Sequence, residues 1–242
     1  MAEPPSPALS FYAQGAEHFK KGRPAEAVRC FQQAVEADPK FHRAWAYLGM
    51  AQAQLGNLDP AIEAYRKCID VDPTYHKAFN NVGELYRRKG LLDYAAMVFK
   101  MASEIDPTQS HYFYNLGITY FEIGMHAQAE EALSRAFALN PRDFDYATEL
   151  AQAQFALRKY EAAAETLQKF LEACPGHDRA AETQARVKML RRLAEQHRAL
   201  AREVAVAESR ASGIRRMPIE EEEKGAKEPP PPRQDLSPPP AG

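Results

Sequence analysis

Two kinds of side chain recur in this sequence at a spacing that could do chemistry. His42 and His76 stand 34 residues apart, and so do Asn81 and Asn115. Imidazoles bind metals and carry protons. Primary amides hold a donor and an acceptor side by side, the complement of a peptide backbone. The imidazoles lack the company a metal needs: no cysteine or carboxylate cluster accompanies His42 and His76, and His18, His111, His126, His177 and His197 fall mostly at unrelated offsets. No CxxC, HExxH or Gly-rich phosphate loop occurs. Glu130–Glu131 and Glu220–Glu223 read as solubilising charges, and Cys68 replaces the alanine of a repeating small-residue column, so it reads as packing. These residues predict neither an enzyme nor a metal or cofactor site. The amides remain as the recognition chemistry.

Composition bounds the setting. The chain has 242 residues, 45% of them hydrophobic, and a formal charge of −2. Such a balance creates no global field for nucleic acid or an anionic membrane. The opening MAEPPSPALSFYAQ has no basic stretch followed by an apolar run, so it does not read as a signal peptide. No apolar run approaches the roughly 18 residues of a membrane span. Three cysteines (Cys30, Cys68, Cys174) argue against a disulfide framework and for a reducing compartment. The expectation is a cytoplasmic protein that neither enters membranes nor binds nucleic acid.

A 34-residue period organises the rest. Pro39, Pro73, Pro107, Pro141 and Pro175 keep this spacing, as do Gly15, Gly49, Gly83 and Gly117. So do Gly22, Gly56, Gly90 and Gly124, and the alanines Ala27, Ala61, Ala95, Ala129 and Ala163. Large apolar groups recur at Phe11, Trp45, Phe79 and Phe113, and at Phe31, Tyr65, Phe99, Leu133 and Leu167. Small residues allow two helices to approach, and large ones fill the space around them. The second glycine column suits helix C-caps, and the prolines separate one unit from the next. Each unit is therefore helix, turn, helix, turn, and it buries its apolar face only by stacking on neighbours.

This pattern resembles the tetratricopeptide repeat (TPR) family. Five units follow, 8–41, 42–75, 76–109, 110–143 and 144–177, the fifth departing with Ala147, Ala151, Arg158 and Phe170 at its diagnostic columns. The resemblance implies an all-α, right-handed superhelical solenoid of antiparallel helix pairs. It also implies a long capping helix over 178–211, which Asp178 can cap by its residue type. On that helix Leu190, Leu193, His197, Leu200, Val204, Ala207 and Ala211 keep a spacing that leaves a homo-oligomer seam open beside plain capping. The helix is rich in arginine but has no interleaved aromatics to stack bases. Residues 1–7 and the Pro/Glu-rich 212–242 are predicted to be disordered.

The resemblance further places the first helix of each unit along a concave groove. In HKAFNNVGELYRRKG (76–90), Phe79, Val82, Gly83 and Tyr86 form the buried stripe, leaving Lys77, Asn80, Asn81, Glu84, Arg87 and Arg88 for the groove. The same offsets add Arg43, Tyr47, His111, Tyr114, Asn115 and Phe121. Asn81 and Asn115 look like two rungs of the asparagine ladder with which superhelical members hold extended peptides. The carboxylate clamp of chaperone-binding members fits poorly, since Tyr12, Ala16 and Tyr47 occupy its positions and only Lys77 matches. Cations gather in the first three units (Lys20, Arg43, Lys77, Arg87, Arg88) and acids in the last two (Glu122, Asp145, Glu149). The expected function is a non-catalytic adaptor that binds a partner's peptide. An assembly subunit or chaperone of a larger complex, acting through the convex face, last helix or tail, is the alternative.

Overall fold

The computed structural model describes residues 6–211. Among these every element is helical. Five pairs run α1 (Pro7–Lys20) with α2 (Pro24–Ala37), α3 (His42–Gln54) with α4 (Leu58–Val71), α5 (His76–Arg88) with α6 (Leu92–Ile105), α7 (Ser110–Ile123) with α8 (His126–Leu139), and α9 (Phe144–Ala156) with α10 (Tyr160–Ala173). The helix α11 (Ala180–Ala211) follows. From α1 to α10 each helix packs on the next in sequence, and the first helices also touch one another, α1 with α3, α5 with α7 and α7 with α9. First helices thus form one layer and second helices another, as in a solenoid of antiparallel pairs.

The repeating columns explain the packing within each pair. A Cβ on Gly83 would lie 2.6 Å from the Phe99 ring, and one on Gly117 would lie 2.5 Å from Leu133. Glycine there lets the second helix press its largest side chain onto the first helix's backbone. Phe31, Tyr65, Phe99, Leu133 and Leu167 are accordingly buried. Gly22, Gly56, Gly90 and Gly124 all have positive φ and end the first helix of their pairs. In the fifth pair Arg158 takes that conformation, at φ 58°, without glycine's freedom.

The junctions between units are held by the aspartates that precede proline. The Asp72 carboxylate accepts from the Thr74 N–H at 3.0 Å and its hydroxyl at 2.7 Å, and Asp106 does the same with Thr108 at 3.1 and 2.6 Å. The recurring histidines belong here: His42 Nε2 lies 3.7 Å from Asp72 and His76 Nε2 lies 3.6 Å from Asp106. Each ties the start of a unit to its own end. Among the described residues no three His, Cys, Asp or Glu side chains converge as a metal site would require.

Two ends differ from the sequence expectation. Ser6 accepts from the Leu9 N–H and Pro7 opens α1, so ordered helix starts inside the segment read as loose. Residues 1–5 and 212–242, also read as disordered, lie outside the described residues. At the other end Asp178 does not cap the last helix. The chain turns there through His177, whose carbonyl accepts from Ala180 N–H at 2.8 Å and whose Nδ1 accepts from Arg179 N–H at 3.2 Å. The side chain of His177 stacks on Phe144 and so fixes this turn against the fifth unit. From Ala180 to Ala194 the helix covers that unit, burying Val187 and Leu190 in the cluster that holds Leu167 and Phe170. Leu200, Val204 and Val206 are exposed.

Candidate functional site on the first-helix face

Three neighbouring concavities open on the layer of first helices. One of about 330 Å³ lies between α3, α5 and α7, lined by Tyr47, Met50, Lys77, Asn80, Asn81 and His111. A second, of about 320 Å³, is bordered by Phe19, Met50, Gln54, Tyr65, Asn81, Glu84 and Arg88. A third, of about 360 Å³, is bounded by Glu84, Arg87, Arg88 and Glu122. Met50 and Asn81 belong to the first two, and Glu84 and Arg88 to the last two, so the three form one track. Tyr47, Lys77, Asn80, Asn81, Glu84, Arg87, Arg88 and His111 are the expected groove residues that meet there.

The two asparagines expected as equivalent rungs differ. Asn81 is half-buried and its Nδ2 donates to the Tyr65 hydroxyl at 3.0 Å, which leaves its second N–H and its carbonyl toward the track. Asn115 is 9% exposed, and its Nδ2 donates to Asn80 Oδ1 at 2.9 Å and Glu84 Oε1 at 3.3 Å. Asn80, 7% exposed, presents little to a ligand. The expected two-rung ladder is therefore corrected to one open amide, Asn81. The Asn80–Asn115 pair lies beneath it and joins α5 to α7. One offset gives two environments because α5 has an asparagine, Asn80, aimed at α7, whereas α3 presents Ala46 there.

Three further expected residues do not line the track. Tyr114 packs on Tyr146 with ring centroids 4.8 Å apart, and Phe121 packs on His126 at 4.9 Å. Arg43 is exposed and borders none of the three concavities. Conversely, Tyr75, Gln109 and Tyr112 line the first concavity. Tyr75 and Gln109 share a repeat column just before α5 and α7, a signal overlooked because those positions precede the helices whose faces were read.

Burial tunes several groups. It holds the His111 imidazole below the usual histidine range, which favours the neutral ring. It pushes the Tyr114 and Tyr112 hydroxyls up to about 12, and the Cys68 thiol likewise to about 12, which keeps that thiol protonated at neutral pH. Part of the expected charge polarity is neutralised, because Arg87 Nε lies 3.5 Å from Glu122. Lys77 and Arg88 are exposed and pair with no acid among the described residues.

Comparison with known proteins bears on the repeat array. Tetratricopeptide repeat family models match residues 8–41 and 149–177, at the two ends of the repeat array. The chain belongs to the tetratricopeptide repeat family. Between those ends, residues 41–146 match the family described as the cilia and flagella-associated protein 70 C-terminal domain. Solved TPR structures share the fold. MamA from Desulfovibrio magneticus RS-1 is 21% identical with a TM-score of 0.64, the match covering 72% of this chain and 98% of MamA. PilF of Pseudomonas aeruginosa is 23% identical with a TM-score of 0.62, covering 84% of this chain and 91% of PilF. YrrB, described as a TPR protein with an unusual peptide-binding site, is 16% identical with a TM-score of 0.61 over 74% of this chain and 92% of its own. No curated protein matches the chain. Among the described residues no helix of this TPR protein is long and apolar enough to cross a membrane.

Proposed function

We propose that this TPR protein is a non-catalytic interaction adaptor that holds an extended segment of a partner protein along the track of α3, α5 and α7. The observation that carries the reading is the continuity of that track through Asn81, with two unpaired cations, Lys77 and Arg88, on its sides. A preformed helical layer leaves most of the ordering cost to the peptide. The spare amide groups of Asn81 suit one peptide unit of its backbone. Lys77 and Arg88 favour acidic side chains, and the apolar walls at Tyr47, Met50 and Phe19 accept an apolar anchor. Within this fold a peptide-binding site is known in YrrB, which lends the reading a precedent. The reducing cytoplasm is the setting in which three free cysteines persist.

The test is affinity capture from the native extract, read by mass spectrometry. Wild type runs beside an Asn81→Ala, Lys77→Glu, Arg88→Glu triple variant of equal helicity. Partners lost only from the variant support the track. Partners kept equally by both move the function to another surface. That second reading, a subunit or assembly factor working through the second-helix face, draws on the exposed Tyr94, Met97 and Met101 of α6.

A further inference from the structure

The second helices allow an internal comparison, because one offset can be read in five units. At the offset of Met97 and Met101, three units carry Glu63–Lys67, Glu131–Arg135 and Glu165–Lys169, and the first carries Arg29–Gln33. All eight of those side chains are exposed, as solvated helix surface should be. Only α6 is apolar there. Tyr94 is 56% exposed, Met97 54% and Met101 40%, a stripe one helical turn apart per step. Farther along, Ile105 continues it, although Val71 and Leu139 make that position apolar in two other units.

Beside this crest lies a groove of about 470 Å³ between α6 and α8. Its floor is Phe113, Leu116, Tyr120 and Ala132. Its rim is Lys100 and Glu104 on one side and Glu131 and Arg135 on the other. Lys100 and Glu104 are one turn from Met97 and Met101, so crest and groove occupy one continuous face.

We propose that this face binds a second copy of the chain, each copy laying its Tyr94–Met97–Met101 crest into the other's α6–α8 groove. A two-fold axis satisfies both contacts at once only when ridge and groove adjoin on one surface, as they do here. The rim carries two cations and two anions, so a copy meets its own image without net repulsion. Methionines adapt to irregular floors and make favourable contacts with aromatic rings, here Phe113 and Tyr120. Three side chains and a four-residue floor per copy make a small face, of the size of weak associations below roughly 1,200 Å², so the dimer forms only as concentration rises. This surface is separate from the peptide track and stands or falls without it.

Sedimentation velocity on the full chain, from about 1 to 200 μM, tests the proposal. The decisive variant is Met97→Glu with Met101→Lys, which copies the Glu63–Lys67 pair that the same fold already tolerates 34 residues earlier. Tyr94→Gln, which copies Gln128, is the second. Leu200→Glu with Val204→Glu probes α11 as the rival seam. Wild type should move from monomer to dimer over this range. The α6 variants should shift the midpoint at least tenfold while the α11 variant leaves it in place. A wild type that stays monomeric, α6 variants that associate like wild type, or a loss seen only in the α11 variant would each overturn the assignment.

Discussion

The Asn81 amide donates to the Tyr65 hydroxyl at 3.0 Å, linking the open one of the two ladder asparagines to the buried aromatic of the preceding unit. Tyr65 in turn fills the space that Gly49 leaves, where a Cβ would stand 2.9 Å from its ring. A packing column and a recognition residue are thus joined by a single hydrogen bond. Tyr65→Phe keeps the packing and removes the anchor. It should cost about 0.5–1.5 kcal/mol in stability, read as a urea-midpoint shift with unchanged slope. If Asn81 binds peptide, the same change should weaken capture less than Asn81→Ala does.

Asn115 behaves differently, because both its partners lie within the protein. Asn115→Ala leaves the buried Asn80 carbonyl oxygen without a donor and should cost about 1–3 kcal/mol. Asn115→Asp should cost more, since a carboxylate would replace a donor facing Asn80 Oδ1 and Glu84. Urea unfolding of the two variants compares them directly. Equal, negligible losses would mean that the pair is solvated.

Backbone conformation supplies a substitution of opposite sign. Arg158 holds φ 58° at the position where the other four units have glycine. Arg158→Gly should stabilise by about 1 kcal/mol, the relief of a left-handed conformation less the entropy glycine adds to the unfolded chain. Gly83→Ala, whose Cβ would press on Phe99, should destabilise by about 1–3 kcal/mol. Thermal or urea midpoints read both.

The junction carboxylates give a pH dependence. Hydrogen bonds from Thr74 and from Thr108 hold Asp72 and Asp106 below the usual carboxylate range. A depressed folded-state value means stability that is fully present above the unfolded value of about 3.9 and is lost as pH falls through the folded one. Wild type should therefore lose urea resistance between about pH 5 and pH 2, and a Thr74→Val, Thr108→Val variant should lose less over that window. Parallel losses in the two would remove Asp72 and Asp106 from the account.

Much of the architecture was legible from local rules. Gly83 opposite Phe99, Gly90 at a helix end and Pro107 at a junction each act through their own backbone or immediate neighbours. A repeat multiplies such signals until the period is unmistakable. The helical face of 76–90 followed in the same way, since Phe79 and Val82 sit three residues apart on one side of a helix. The start of the last helix was misplaced because Asp178 is a good cap by type, whereas His177 decides the turn by stacking on Phe144, 33 residues away.

Sequence by itself determined the repeat, the helix pairs and which helix face is polar, because those follow from spacing and backbone preference. It did not determine which polar groups remain open. Asn81 and Asn115 hold the same offset, but only the packing of α5 on α7 places Asn80 and Glu84 within reach of Asn115, while Asn81 meets the Tyr65 hydroxyl. Arg87 likewise lost its freedom to Glu122, 35 residues away. Hydrogen-bond partners across helices depend on side-chain lengths and directions from two chain segments at once. Only the tertiary structure brings those segments together.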